Sequence, residues 1–323
     1  MAQPANLFDR TAINKSVRED LIDKIYNTSP EQVPVTTAFG KTKATNTFHE
    51  WQRDILATPN KDNALIDGDD FSATAIVAPS RVGNQCQIFS KQPAVSRRAN
   101  IVNKAGMKTA MAYQKAKMMM EIKRDLEAAV VSANPAVAAT SGIAGKLGSL
   151  GVQVYSNAQH GVGGSTTAHT SGAPTVAPVA GTARPFTETL LKAAVQAAYI
   201  SSGEVPSMVV MSPAHKTVFS GFAGIAVNRY QVSKKEQGRI IGGADVYMSD
   251  FGELEIVPHY IMAGSTNVWL LNTEYADVAF LDGFRAEEMG KTGDSDKTLM
   301  TIDATLAVRA ETAQAKIADL SGG

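Results

Sequence analysis

Residues 106–133 read GMKTAMAYQKAKMMMEIKRDLEAAVVSA, the most regular stretch in a chain of 323 residues. Met107, Met111, Met118, Ile122, Leu126 and Val130 recur on one stripe of a 3.6-residue period, while Lys108, Lys115, Lys123 and Glu127 fall largely off it. The spacing predicts an amphipathic helix over 106–133, roughly 40 Å long at 1.5 Å per residue. Asn134-Pro135 ends it, because the residue before a proline is pushed out of the helical region. A methionine-rich stripe can serve as an adaptable partner groove, but core packing is the commoner reason for one.

On the N-terminal side, Thr47-Phe48-His49-Glu50-Trp51-Gln52 and Asn84-Gln85-Cys86-Gln87-Ile88-Phe89 alternate as strands do. The polar stretch between them, with Pro59, Asn60, Gly68, Asp69, Asp70 and Pro79, exceeds the ~12–15 residues of an ordinary loop. A long two-stranded excursion results. Such a hairpin is marginal alone in water, so it is expected to lie on a neighbouring surface. Ahead of it, the amphipathic piece VREDLIDKIY at 17–26 is followed by Pro30 and Pro34, which stop any long helix. That segment reads as an arm without a core of its own.

On the C-terminal side, residues 134–185 are rich in Ala, Gly, Ser and Thr and by composition pass for a flexible linker, ordered only where something holds them. After Pro185 a second helix is predicted to about Ser201, with Leu190, Leu191, Ala194, Val195 and Ala198 inward. Met208-Val209-Val210-Met211 reads as a buried strand, Ser212-Pro213 opens a helix, and strands are predicted at 245–249, 253–257, 267–271 and 277–281. Met300, Ile302, Ala304, Leu306 and Val308 then alternate with Thr301, Asp303, Thr305, Ala307 and Arg309, a long strand expected to keep one face wet. The class is α+β.

Thirty-one basic residues balance 31 acidic ones and aromatics make up 7%, so nothing in the bulk asks for nucleic acid, a membrane surface or a charged substrate. The balance hides a split. Residues 1–203 hold 21 basic against 15 acidic residues, net +6, and residues 204–323 hold 10 against 16, net −6. Copies of the chain can therefore meet basic half to acidic half. Cys86 is the sole cysteine, which excludes an intrachain disulfide and fits a reducing cytoplasm. The first ten residues carry no apolar run of the secretory kind, and no stretch reaches the ~18 apolar residues of a membrane span.

The motifs that would carry chemistry fall short. His49-Glu50-Trp51-Gln52-Arg53 begins like a zinc-protease helix, but Arg53 stands where the second histidine belongs. The five histidines are too scattered for a local ligand pair. Gly283 to Thr292 ends like a phosphate loop with six residues between its glycines instead of four, and no helix is predicted after it. His160-Gly161-Val162-Gly163-Gly164 is like an esterase oxyanion loop, yet the chain has no Gly-x-Ser-x-Gly elbow. Ser212 and His215 are ordinary helix initiation. Arg97-Arg98 and Lys234-Lys235 lack interleaved aromatics that would stack bases. No catalytic residue, cofactor or metal is expected.

Read in order, long excursion, single long helix, α+β module and return strand resemble the Hong Kong 97-type capsid fold of tailed phages. Thr45-Asn46-Thr47-Phe48-His49-Glu50-Trp51-Gln52, Gly83-Asn84-Gln85-Cys86-Gln87-Ile88, Tyr113-Gln114 and Glu121-Ile122-Lys123-Arg124-Asp125-Leu126-Glu127 are similar to one branch of phage major capsid proteins, over about residues 44–133. Leu306-Ala307-Val308-Arg309 is similar to that family's closing strand, whereas Arg97-Arg98 departs from its usual Gly-Thr.

The resemblance implies an N-terminal arm over 1–43, an extended loop over 44–105 and a peripheral domain over 106–186 built on the spine helix. An axial domain over 187–284 and return strands over 285–323 complete it. It implies a non-enzymatic subunit that forms hexamers and pentamers of an icosahedral head, assembled in the host bacterial cytoplasm, around DNA held without sequence recognition. Scaffold, portal and decoration proteins are possible partners, and a membrane is not. Phe48, Trp51, Arg53, Ile88, Phe89, Arg97 and Arg98 are expected to meet a neighbouring subunit. The alternatives are an encapsulin-like compartment of the same fold and, from another class, an α+β hydrolase with a dispersed site.

Overall fold

The computed structural model describes residues 29, 32–64, 66–68, 76–222, 245–291 and 293–322; the 17–26 piece and Lys234-Lys235 lie outside them. A five-stranded sheet runs β1 (Gly40–Lys43), β11 (Ala276–Met289), β12 (Ser295–Val308) and β4 (Gln87–Lys91), with β5 (Ala94–Ser96) also on β12. Only β1 and β11 pair parallel within it. A six-stranded mixed sheet runs β6 (Ala158–Gln159), β13 (Ala315–Ile317), β10 (Val268–Leu271), β7 (Met208–Met211), β9 (Glu253–Pro258) and β8 (Val246–Met248). The hairpin β2 (Phe48–Arg53) and β3 (Ser80–Gln85) is a separate two-stranded sheet, Phe48 opposite Gln85 and Arg53 opposite Ser80. Six α-helices are described: α1 (Pro34–Ala38), α2 (Arg97–Ile101), α3 (Ala110–Val131), α4 (Leu150–Gln153), α5 (Glu188–Ser202) and α6 (Pro213–Ser220).

The long helix is present as α3, but it starts at Ala110 rather than Gly106. Gly106 has φ +77, a left-handed value that a right-handed helix does not contain, and Thr109 enters the helix extended. Ile122, Leu126 and Val130 lie in the main core with Met118 packed at its margin, whereas Met111 joins a small separate cluster with Val95 and Ala110. Glu127, off the stripe by sequence, is fully buried.

The six-stranded sheet is covered on both faces. In β7, Met208 and Val210 face the core of the spine helix, and Val209 and Met211 face a second core with Leu191, Val195 and Phe219 from α5 and α6. β10 divides likewise: Trp269 and Leu271 on one side, Val268 and Leu270 on the other. This is why both strands are continuous apolar runs rather than alternating ones. Ser212 caps α6 as expected, accepting from His215 N at 3.2 Å, with Pro213 at the first helical position.

Two strand expectations are corrected. Residues 84–89 are not one strand: the chain changes partner at Cys86, so β3 pairs with β2 while β4 pairs with β12. The closing strand does not keep one face wet at its end, since Ala304 to Val308 are all buried. Thr305 Oγ1 donates to Gln85 O at 2.7 Å, and Asn84 and Gln153 both donate to Leu306 O, so the hairpin root and α4 cover the face that alternation leaves for water.

Candidate intersubunit surface

The root of the hairpin is fastened by polar contacts that sequence spacing does not reveal. Asn84 is fully buried; its amide donates to Gly148 O and Leu306 O at 2.8 Å, and its Oδ1 accepts from Gly148 N at 2.7 Å. Gly83 N donates to Gly172 O at 2.8 Å. The Arg53 guanidinium donates to Val308 O at 2.9 Å and Arg309 O at 3.1 Å, tying the last residue of β2 to the end of β12. Arg81 pairs with Glu50 across the hairpin.

Beyond Arg53 and Ser80 the ladder stops, and the described residues of both limbs are exposed. Ile55 and Leu56 on the outgoing limb are 80% and 95% exposed, and Ile76 and Val77 on the returning limb are 97% and 82% exposed. Ile66 between them is 76% exposed, and each branched or leucine side chain left in water forgoes about 1.5–3 kcal/mol of burial, so five on one excursion form a surface lacking its cover. Sequence reasoning missed them. The signal was two aliphatic pairs flanking a polar Gly/Asp stretch.

The seven residues expected to meet a neighbour occupy three places. Phe48, Trp51 and Arg53 share β2, all half-buried, and Arg53 is bound to its own chain as above. Trp51 Nε1 meets no acceptor among the described residues. On β4, Ile88 is 67% exposed while its neighbour Phe89 points into the core and offers another chain no side-chain surface. Arg97 and Arg98 begin α2, capped by Ser96 Oγ, and Arg97 Nε reaches Asp294 Oδ1 of the same chain at 2.8 Å. Arg98 is exposed.

A cleft of about 700 Å³ opens beside the hairpin root, lined among others by Arg53, Ile55, Arg81, Tyr155, His169 and Arg309. Burial, with Arg53 adding to it, pushes His169 down to about 4, so its ring is neutral near pH 7 and is a poor proton donor there. Glu311 beside it is buried and already accepts from Tyr155 N, Ser156 N and Ser156 Oγ. Among the described residues no group of three or more His, Cys, Asp or Glu side chains could hold a metal ion. What the region presents is a fixed root, an uncovered apolar limb and charged flanks: contact chemistry.

A spine helix packed on a long antiparallel ribbon, a second sheet sandwiched between two cores and a hairpin with no core of its own define a capsid subunit of the Hong Kong 97 type. The chain belongs to the SU10 major capsid protein family, whose sequence profile matches residues 4–321. It is similar to the major capsid protein of Escherichia phage Phieco32, 33% identical over 104 residues, a match spanning 32% of this chain and 30% of that relative's length. In fold it is similar to the subunit of the Cyanophage A-1(L) capsid, with TM-score 0.66 at 12% identity over 97% of this chain and 99% of that one. It is also similar to the SrpI encapsulin of Synechococcus elongatus PCC 7942, with TM-score 0.55 at 12% identity over 97% and 96%. Phage capsids and encapsulins share this fold. The family match is what places the chain with the phage proteins.

Proposed function

We propose that copies of this chain close into an icosahedral phage head, as hexamers and pentamers, by laying the excursion of each subunit across its neighbour. The observation that carries the reading is the uncovered set Ile55, Leu56, Ile76 and Val77 at the far side of a firmly anchored root. A contact between unlike surfaces of identical chains generates rings, and rings tile shells. In this reading residues 1–43 are the arm, 44–105 the extended loop, 106–186 and 285–323 the peripheral domain and 187–284 the axial domain. Phe48, Trp51, Ile88, Arg97 and Arg98 contribute at the rims of these contacts. The role is structural rather than enzymatic. The shell forms in the host cytoplasm, resides in the virion and encloses DNA without reading its sequence; scaffold, portal and decoration proteins are its further partners. The test is Ile55→Ser combined with Ile76→Ser: assembly falls while the unassembled subunit's thermal midpoint is unchanged. Normal assembly of that variant would remove the main support.

A further inference from the structure

His160, Thr166, Lys316 and Asp319 form a chain of hydrogen bonds apart from the hairpin surface. Lys316 Nζ donates to Gly151 O at 2.5 Å and to Thr166 Oγ1 at 2.6 Å. His160 Nε2 lies 2.8 Å from the same hydroxyl, and Nδ1 lies 3.0 Å from Asp319 Oδ2, which also accepts from Gly161 N at 3.0 Å. Lys316 and Asp319 are both buried. A hydroxyl has one proton to give. With the ammonium donating to Thr166, that proton goes to Nε2, and the imidazole's own proton faces Asp319 from Nδ1. The chain closes only with a neutral ring. A proton on Nε2 would leave the Thr166 hydroxyl hydrogen without an acceptor and place a second cation beside Lys316.

The segment held here is rich in glycine yet closely packed. A Cβ on Gly161 would lie 2.0 Å from Thr182 O, one on Gly164 2.6 Å from Asp319 Oδ2, and one on Gly181 2.6 Å from Gly161 O. Its two limbs thus meet backbone to backbone over Asp319. At the tip Thr170 pairs with Ala173, and Gly172 O takes the hydrogen bond from Gly83 N of β3. The segment runs as a strap from the C-terminal turn to the hairpin root.

We propose that residues 160–183 are an acid-released strap, held at its base by the Lys316-Thr166-His160-Asp319 chain and let go, together with the hairpin root, when His160 takes up a proton. The charged groups facing His160 are Asp319, Lys316 and Arg184, and those facing Lys316 are Asp319 and Glu311. Burial first, then Lys316 and Arg184, hold His160 below its ordinary value against the pull of Asp319. A released strap takes up the proton near 6.5 while the folded one resists it. The strap is therefore fully favoured above that value and loses stability as pH falls through the folded one. Lys316, which burial pushes down to about 8, stays charged throughout this window. Burial alone would raise Asp319, but the Gly181 and Gly161 amides and His160 outweigh it and hold the carboxyl below its ordinary range.

The experiment is hydrogen exchange on the full-length protein at about pH 7.5 and about pH 5.5, with protection corrected for intrinsic exchange. Protection in 161–183 and β3 should fall at the lower pH while α5 is unchanged, in wild type and in His169→Gln alike. His169 lies in the same strap and is itself pushed down to about 4, so the comparison is made in a His169→Gln background, where adding His160→Gln, which gains no charge, should leave protection flat across the two conditions. Thr166→Val cuts the chain and should show weak protection already at pH 7.5. A flat wild-type series would overturn the proposal whatever the variants do. So would an equal fall in His169→Gln with and without His160→Gln, or a fall in α5 as large as that in the strap.

Discussion

Glu127 Oε1 and His259 Nε2 lie 2.8 Å apart with both side chains fully buried, and the same carboxylate accepts from Val35 N and Thr36 N, each at 2.8 Å. Ile261 N donates to His259 Nδ1 at 3.1 Å, so Nε2 carries the proton that faces Glu127. One carboxylate on the spine helix thereby fastens α1 and the turn after β9 at the same point.

Removing that carboxylate should be costly. Glu127→Ala strands three donors, two of them buried and one part-buried, and should lower stability by about 3–5 kcal/mol. Glu127→Gln keeps one acceptor oxygen but turns an amide N–H toward the Thr36 N–H, for a loss of about 1–3 kcal/mol. Urea midpoints should fall in the order wild type, Gln, Ala; three equal midpoints would deny the hub its structural role.

Glycines of the strap should differ by what surrounds them. Gly161→Ala meets the Thr182 backbone oxygen and should cost about 1–3 kcal/mol, the usual penalty for overpacking. Gly163 has φ +83 with nothing within 4 Å of an added Cβ, so Gly163→Ala should cost only about 1 kcal/mol of backbone strain. Thermal midpoints would reveal the order, and the reverse order would show that the limbs do not pack as closely as described.

Cys86 should be inert in the folded chain. Its side chain is 9% exposed, and burial, with the Asp303 carboxylate adding to it, pushes the thiol up to about 11. At pH 8 the thiolate is then about one part in a thousand, against roughly a quarter for a free thiol. Alkylation should be slow in buffer and rapid in urea, and fast labelling of native protein would contradict the buried placement.

Salt should separate charge from packing in assembly. The Debye length shrinks from ~10 Å at 0.1 M to ~3 Å at 1 M, so pairing between basic and acidic halves should slow at high salt. Arg97→Glu with Arg98→Glu should slow it further. Arg97 and Asp294 form an exposed intrachain pair worth at most about 1 kcal/mol, so subunit stability should barely move. Light-scattering rates that ignore both salt and the double substitution would make the charge split mere composition.

The elements with strong local periodicity were legible. The stripe Ile122, Leu126, Val130 announced α3, the alternation from Met300 to Val308 announced β12, and Ser212-Pro213 announced α6. Less was readable where distant residues decide. Glu127 borders the apolar stripe, but its partner His259 is 132 residues away. The break at Cys86 follows from β12 claiming β4, a pairing across more than 200 residues. The glycine-rich strap passed for a linker because close approach to Asp319 and Thr182 leaves no trace in composition. At the candidate contact surface both Ile88 and Phe89 were expected outward, but neighbouring residues of β4 face opposite ways, so Ile88 is exposed and Phe89 is in the core.

Assembly through the excursion can be measured directly. Purified full-length protein should sediment as rings or shells of many copies and show such particles by electron microscopy. The variant carrying serine at positions 55, 56, 76 and 77 should stay small with an unchanged thermal midpoint. Wild-type protein that remains monomeric at every concentration and salt, or a serine variant that assembles as wild type does, would contradict it.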